Sequence, residues 1–299
     1  GNRSSGIERR YGCAFLRRDH PCGMGCPASG TSKWDELLKT AVLLNDTSTR
    51  YHHGCLRVSR RIKELLAENG IKVLASNYAH VDWRKNRAFT DALAVCDLVV
   101  INGEGTLHDA SESGRTLLAI IDAPERGDRP VVLVNALWQN NPPAWSEAAK
   151  KCSIVAVRDS QSASELRTAG VGGVRLMPDL SLTGPAPKSS ALRTRSVIGD
   201  SVRADIRHVL AKAAQHQRAI YIPTKTLGSA IWKRRLMSEL LWRLYNGVLT
   251  GPMPEFRMAA DDGAYLVELS RASSHITGRF HGVCFSILSQ TPFLAIASK

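Results

Sequence analysis

Short apolar runs alternate with amphipathic stretches along the chain from residue 34 onward. Apolar runs of about four to eight residues predict buried strands, and apolar positions at helical spacing predict the helices between them. One such helix is predicted over 56–69, where Leu56 and Ile62 share a face and Asn69-Gly70 supplies the stop. Strands that alternate with helices in this way predict an α/β fold with parallel sheets.

The predicted elements fall into two groups, separated by the polar, proline-containing segment 183–195. Strands are predicted at 39–44, 71–76, 97–102, 130–135, 154–157, 175–177, 196–198, 219–223, 275–277 and 292–297. Helices are predicted at 56–69, 86–95, 114–123, 161–169, 201–216, 229–245, 261–271 and 281–288. We therefore expect two Rossmann-like domains, 35–185 and 186–299, preceded by a poorly ordered basic extension over 1–34.

The chain is basic, and the excess charge is unevenly placed. Its 299 residues include 40 Lys and Arg against 27 Asp and Glu, and from residue 186 onward 16 basic residues face 7 acidic ones. A basic half implies an anionic partner such as a phosphorylated substrate, an acidic glycan or an anionic membrane surface. Nucleic acid is not expected, because no zinc-finger, helix-turn-helix or RNA-recognition motif is evident and only 6% of the residues are aromatic.

Cysteine usage and hydropathy favour a cytoplasmic location. No apolar run reaches roughly 18 residues, and the N-terminal stretch lacks the apolar core of a secretory signal. Four of the seven cysteines lie in apolar or helical stretches, as reduced thiols do: Cys55, Cys96, Cys152 and Cys284. The other three, Cys13, Cys22 and Cys26, have no matching second pair, so no metal site is predicted.

Two polar loops follow predicted strands of the first domain, where ligands bind in a parallel sheet. The loop 45–54 offers three candidates ahead of a helix N-terminus: Asn45, Asp46 and His53. The loop 102–109 places Glu104 between two glycines, beside four further candidates: Asn102, Gly103, His108 and Asp109. An ordinary turn is the alternative for each loop, because both contain typical turn-forming residues.

Two further strand ends carry arginine. Arg158 follows the strand 154–157, where a guanidinium would bind a carboxylate or a phosphate, a surface salt bridge being the alternative. The strand 275–277 runs into four residues at the start of an apolar helix: Gly278, Arg279, Phe280 and His281. There the helix N–H groups and Arg279 would converge on one anion. His281 is a candidate general acid or base, with a simple helix cap as the alternative.

In this order the four loops resemble the polysaccharide pyruvyl transferase family. The matching segments are NDTSTRYHHGC (45–55), VVINGEGTLHD (99–109), VAVRDSQSASELRTAGV (155–171) with PDLSL (178–182), and ITGRFHGVCFSILSQTPFLAI (276–296). The last of these segments is the most specific. The resemblance implies a two-domain fold similar to that of GT-B glycosyltransferases, with the site in the cleft between the domains and a natural chain that continues past Lys299.

The resemblance also implies a reaction, in which a pyruvyl group passes from phosphoenolpyruvate to sugar hydroxyls and gives a pyruvate ketal and phosphate without cofactor or metal. In this hypothesis His281 protonates the methylene carbon of the donor, and Glu104 or Asp46 positions or deprotonates the sugar. The residues expected to bind the donor are Arg158, Arg279, Gly278 and Phe280. Those expected to bind the acceptor are Asn45, His53, Asn102, Gly103, His108 and Asp109.

The expected partners are phosphoenolpyruvate and a glycan or lipid-linked oligosaccharide, with the enzyme cytoplasmic and peripheral at an anionic membrane surface. Two alternatives remain open. A GT-B-type glycosyltransferase would place a nucleotide sugar in the same cleft, and a glycan- or lipid-binding protein would keep the fold without turnover. The intact set of Arg158, Arg279 and His281 favours an enzyme.

Overall fold

Parallel strands organise the chain into two main sheets, seen in a computed structural model that describes residues 40–187, 192–225 and 235–297. The strands are β1 (Thr40–Asp46), β2 (Lys72–Tyr78), β3 (Leu98–Asn102), β4 (Leu107–His108), β5 (Val131–Ala136), β6 (Trp138–Gln139), β7 (Ile154–Val157), β8 (Arg175–Leu176), β9 (Arg195–Ser201), β10 (Ile220–Tyr221), β11 (Glu255–Phe256), β12 (Ala272–Gly278) and β13 (Phe293–Ala295). The first sheet has the order β2-β1-β3-β5-β7-β8 and the second the order β11-β10-β9-β12-β13, while β4 and β6 pair separately.

Helices connect these strands as crossovers, as parallel pairing requires. They are α1 (His53–Glu68), α2 (Arg87–Leu93), α3 (Glu112–Leu118), α4 (Pro143–Lys150), α5 (Ser160–Thr168), α6 (Ala204–Gln217), α7 (Arg235–Asn246), α8 (Asp262–Ser270) and α9 (Phe280–Leu288). A 3-10 turn over Leu180–Leu182 follows the first sheet. None of the helices described here combines the length and the apolar character needed to cross a membrane.

Strand β1 is buried on both faces because β2 and β3 flank it and helices cover each side of the sheet. Val42 and Leu44 belong to the core on one face. Ala41 and Leu43 belong to the core on the other face, together with Ile62 of α1. Because side chains on both faces of the strand are buried, its sequence is a continuous apolar run rather than an alternation of apolar and polar residues.

Each sheet has one reversal point, where the chain stops adding strands on one side of the sheet and continues on the other side. In the first sheet it lies between β1 and β3, and in the second between β9 and β12. The strand ends at these two places are Asn45-Asp46 and Asn102 in the first sheet, and Asp200-Ser201 and Gly278 in the second. Ligands of such sheets bind outside the carboxyl ends of the strands at the reversal point.

The predicted fold class, an α/β chain with parallel sheets, is confirmed by the sheet topology. Several predicted boundaries were wrong. Asn45 and Asp46 end β1 rather than lying in a loop, and α1 begins at His53 because the His52 side chain caps it. The helix predicted over 114–123 ends at Leu118 and gives way to a 3-10 turn. Helix α4, which starts with proline at its first turn, was not predicted.

Several predictions concern residues outside the described ranges. They include the extension 1–34 with its three cysteines, and the start of the helix predicted at 229–245. The division into domains at residues 185 and 186 stays a prediction. The four other cysteines are free thiols, of which three are buried and Cys152 is partly exposed.

Candidate active site

Helix α1 links the two sheets and brings their reversal points together. The amide of His53 donates to the carbonyl of Thr224, beyond β10, at 3.2 Å. The fully buried Arg57 donates to Asp262 of α8 at 3.0 Å and to the carbonyl of Ser181 at 2.9 Å. Because these bonds hold the start of α1 against elements of the second sheet, residues from both sheets can meet there.

The end of β1 is tied to the end of β3 by their asparagines. Asn45 has a left-handed backbone (φ 64) and donates through Nδ2 to the carbonyl of Asn102 at 2.6 Å. In return, Asn102 Nδ2 donates to the carbonyl of Asn45 at 3.2 Å. Both side chains are buried, so these amides are engaged in fixing the two strand ends.

Glu104 projects from the loop after β3 into the buried space beside α9. Its backbone is left-handed (φ 35), and its carbonyl accepts from the amide of Leu137 at 2.7 Å. Gly103 must lack a side chain here, because a Cβ would lie 2.4 Å from that of Ala136. The loop therefore holds the Glu104 carboxylate in one place, with its Oε1 4.0 Å from His281 Nε2.

His281 occupies the first turn of α9 and is almost fully buried. Its ring lies over Gly54, where a Cβ would come within 2.0 Å of the ring. Its Nε2 has no hydrogen-bond partner among the described residues, although Asp179 Oδ1 lies 3.8 Å away. Burial lowers the pKa of His281, and the carboxylates of Asp179 and Glu104 act against that shift.

Arg158 lies beside this histidine, at the end of β7. Its Nη1 donates to Asp179 at 3.0 Å, and its guanidinium carbon lies 4.4 Å from the centre of the Phe280 ring. Burial acts to raise the pKa of Asp179, but the neighbouring His281 and Arg158 outweigh it and lower the pKa. Asp179 is thus an ionised carboxylate that positions Arg158 and faces His281.

Arg279 immediately precedes α9 and is held at the reversal point of the second sheet. Its Nε and Nη2 donate to Asp200 at 3.0 and 2.8 Å, and its Nη2 donates to the Tyr245 hydroxyl at 3.2 Å. Gly278 has no room for a side chain, because a Cβ would lie 2.6 Å from Ser201. The close approach of β12 to β9 therefore sets the position of the arginine.

Four of the residues predicted for the site have neighbours other than His281 and the two arginines. Asp46 accepts from Lys63 at 2.6 Å and from the amide of Ser48 at 2.9 Å. The ring of His53 packs 5.3 Å from that of Tyr265. His108 Nδ1 and Asp109 Oδ2 lie 2.9 Å apart at the partly exposed end of β4. Their assigned roles stay predictions.

The structure also adds residues that the sequence reasoning did not assign to the site. Asp179 and Asp200 fix the two arginines, Tyr245 contacts Arg279, and the His52 ring lies 5.2 Å from that of His281. The sequence could have indicated Asp179 as a site residue, since it follows β8 in the segment 178–182. His52 lies in the polar loop 45–54, and Asp200 follows the strand predicted at 196–198, so the sequence could have indicated both. Tyr245 comes from a distant part of the chain, and no local pattern links it to the site.

The site can be compared with known proteins. The family model described as polysaccharide pyruvyl transferase matches residues 58–299. No curated protein sequence matches the chain.

Solved structures resemble the chain at low identity. An alpha-glucosyltransferase in complex with UDP and a 13-mer DNA is 8% identical, with a TM-score of 0.45 over 86% of this chain and 79% of that one. A putative UDP-N-acetylglucosamine 2-epimerase from Listeria monocytogenes is 8% identical (TM-score 0.47, 82% and 75% of the chains). The UDP-GlcNAc 2-epimerase from Methanocaldococcus jannaschii is 9% identical (TM-score 0.46, 86% and 83%).

Proposed function

Because this chain belongs to the polysaccharide pyruvyl transferase family, we propose that it transfers a pyruvyl group from phosphoenolpyruvate to sugar hydroxyls of a glycan. The observation that carries the proposal is the placement of His281. Its buried Nε2 lies 3.8 Å from Asp179 and 4.0 Å from Glu104, and Arg158 lies next to it. An imidazole that can carry a proton, two carboxylates and a guanidinium thus lie next to one another, as acid–base chemistry on an anionic substrate requires.

The two arginines would bind the donor, which carries a carboxylate and a phosphate. Among the described residues Arg158 donates one side-chain hydrogen bond, from Nη1 to Asp179, so its other N–H groups can bind an anion. Arg279 is fixed by Asp200 next to the N-terminus of α9. A guanidinium fork and free helix N–H groups are the groups that bind phosphate and carboxylate oxygens.

In the proposed reaction His281 donates a proton to the methylene carbon of phosphoenolpyruvate. The first sugar hydroxyl bonds to the central carbon and gives its proton to a carboxylate, for which Glu104, 4.0 Å from His281 Nε2, is the candidate. The bond from that carbon to the phosphate oxygen then breaks, and the second hydroxyl closes the ketal and releases its proton. One of the two hydroxyl protons ends on the new methyl group and the other on the released phosphate, so the reaction balances.

This role requires His281 to be protonated when the donor is bound. Burial lowers the pKa of His281, so its imidazole is neutral near pH 7 in the protein without donor. The carboxylate and the phosphate of the donor would raise that pKa, as an opposite charge within about 4–6 Å does. We therefore propose that donor binding is coupled to the uptake of a proton by His281.

The test is the release of inorganic phosphate from phosphoenolpyruvate in the presence of a panel of glycan acceptors, with nucleotide sugars assayed in parallel. His281→Gln is expected to lose at least 100-fold in turnover, and the exposed His216→Gln serves as the matched control. Arg279→Ala is expected to weaken donor binding, whereas the exposed Arg175→Ala should not. Consumption of a nucleotide sugar in place of phosphoenolpyruvate would refute the proposal and establish a glycosyltransferase.

A lipid-linked acceptor would place the enzyme at a membrane, and we propose that α7 makes the contact. Leu236, Leu240 and Leu244 are exposed along this helix at helical spacing, by 83%, 49% and 60%. The same half of the chain carries 16 basic against 7 acidic residues, which complements an anionic cytoplasmic surface.

Sedimentation with anionic vesicles tests this contact. The protein should sediment with phosphatidylglycerol vesicles, and a variant with Leu236→Ser and Leu240→Ser should bind at least tenfold more weakly. Leu192→Ser, at an exposed leucine outside α7, is the control. Sedimentation that is equal with and without vesicles would refute the membrane contact and leave the soluble activity unaffected.

A further inference from the structure

A second group of side chains surrounds His281 on the side of α1. His52 caps that helix and Cys55 lies in its first turn. One nitrogen of His52, the Cys55 sulfur and one nitrogen of His281 all lie within 4.8 Å of one another. Two imidazoles and a thiol at this separation are a donor set that zinc-class ions bind.

One ring nitrogen of this group lacks a partner. His281 Nε2 is buried without a hydrogen-bond partner among the described residues. Buried polar atoms are ordinarily paired, so this nitrogen is available to a ligand.

Glu104 lies near this group without belonging to it, with its Oε1 4.0 Å from His281 Nε2. Two nitrogens and one sulfur supply three ligands, so water would take the fourth position that zinc prefers. Magnesium and calcium prefer oxygen ligands alone and do not suit this set.

We propose that His52, Cys55 and His281 form a binding site for a zinc-class divalent ion, and that its occupation inhibits the enzyme. On binding, the Cys55 thiol gives its proton to solvent and its sulfur bonds to the metal, while His281 donates its nitrogen lone pair. Zinc lies about 2.0–2.3 Å from nitrogen and sulfur ligands, so side-chain rotations close the site around the ion. The inhibition rests on the proposed function, because His281 cannot carry a proton while it ligates a metal ion. The binding of the metal does not rest on the proposed function.

Cobalt(II) is the probe for binding, since it replaces zinc and absorbs visible light when four ligands surround it. The protein for this experiment is the full chain with Cys13, Cys22 and Cys26 replaced by serine, which removes thiols outside the described residues. We expect one cobalt ion per chain, a thiolate-to-cobalt charge-transfer band and displacement by zinc. Cys55→Ser should abolish the band, and Cys96→Ser, at a buried thiol in the core of the first sheet, should keep it.

His52→Gln should weaken cobalt binding at least tenfold while the protein stays folded, as judged by circular dichroism. This variant keeps the thiol, so it separates loss of a ligand from loss of the cysteine. Absence of the band at millimolar cobalt, or a band that persists in Cys55→Ser, would overturn the proposed site.

Inhibition is measured as the zinc concentration that halves phosphate release, compared within each variant to its own zinc-free rate. Chelation should restore the wild-type rate, and Cys55→Ser should require at least tenfold more zinc. The cobalt spectrum needs no turnover, so an inactive protein with a normal band would contradict the proposed function alone. An active enzyme that shows the band and ignores zinc would overturn the inhibition.

Discussion

Replacing Gly54 by alanine tests whether the position of His281 governs the proposed pyruvyl transfer. The new Cβ would lie 2.0 Å from His281 Cγ, 2.3 Å from its Cβ and 2.5 Å from its Cδ2. Ordinary contact begins at 3.4 Å, so the ring must retreat by about 1.4 Å, the difference between 3.4 and 2.0. A misplacement of about 1 Å can cost roughly 100-fold in rate. We therefore expect turnover to fall at least 100-fold.

The effect on stability should be small by comparison. Alanine is favoured over glycine in a helix by about 1 kcal/mol, whereas overpacking costs about 1–3 kcal/mol. The net destabilisation is then at most about 2 kcal/mol, a few degrees in melting temperature for a chain of this size.

The assay for Gly54→Ala is phosphate release at saturating phosphoenolpyruvate, together with a thermal melt. Gly172→Ala is the control, because its Cβ would meet nothing within 4 Å and its backbone is not left-handed. Turnover within threefold of the wild type in a folded Gly54→Ala protein would refute the reasoning, since the ring would then tolerate displacement.

Three further predictions concern stability. Arg57→Ala should destabilise the protein by about 1–3 kcal/mol in urea denaturation, because the carbonyls of Ser181 and Thr183 lose a donor while Arg60 still pairs with the buried Asp262. The exposed Arg175→Ala should change the stability by less than about 0.5 kcal/mol. Burial lowers the pKa of His275 to about 3, below its value in the unfolded chain. Between these two pKa values the folded state binds fewer protons than the unfolded state. The free energy of unfolding should therefore fall as pH drops from 6.5 towards 3, by up to about 1.4 kcal/mol per pH unit. A pH dependence that is unchanged in His275→Asn would contradict this. Gly278→Ala should cost about 1–3 kcal/mol through contact with Ser201, and adding Ser201→Gly should recover part of it in the same melt.

Much of the fold could be predicted from local patterns. The run Ala41–Leu44 is apolar throughout because β1 is buried on both faces, and Asn69-Gly70 ends α1 where the pattern stops. The boundaries that failed depend on single side chains, such as the His52 cap that starts α1 three residues before the predicted position. A cap of this kind is a local hydrogen bond, and hydrophobic periodicity does not report it.

The site was predictable only where residues follow a strand. Arg158, Glu104, Arg279 and His281 could be predicted as candidates because parallel strands place their carboxyl ends at one edge of a sheet. The contacts of Tyr245 and Asp200 with Arg279 join residues 34 and 79 positions away in the chain. Such pairings depend on which strands become neighbours.

The sequence by itself therefore determined the α/β class, the parallel sheets and the arginine and histidine at strand ends, because each follows from periodicity and from residues adjacent in the chain. The tertiary structure alone decided that the first turns of α1 and α9 meet. That contact places His281 over Gly54, between Asp179 and Glu104 and beside His52. The physical reason is that burial, charge pairing and unsatisfied polar atoms depend on distances in space, which sequence separation does not fix.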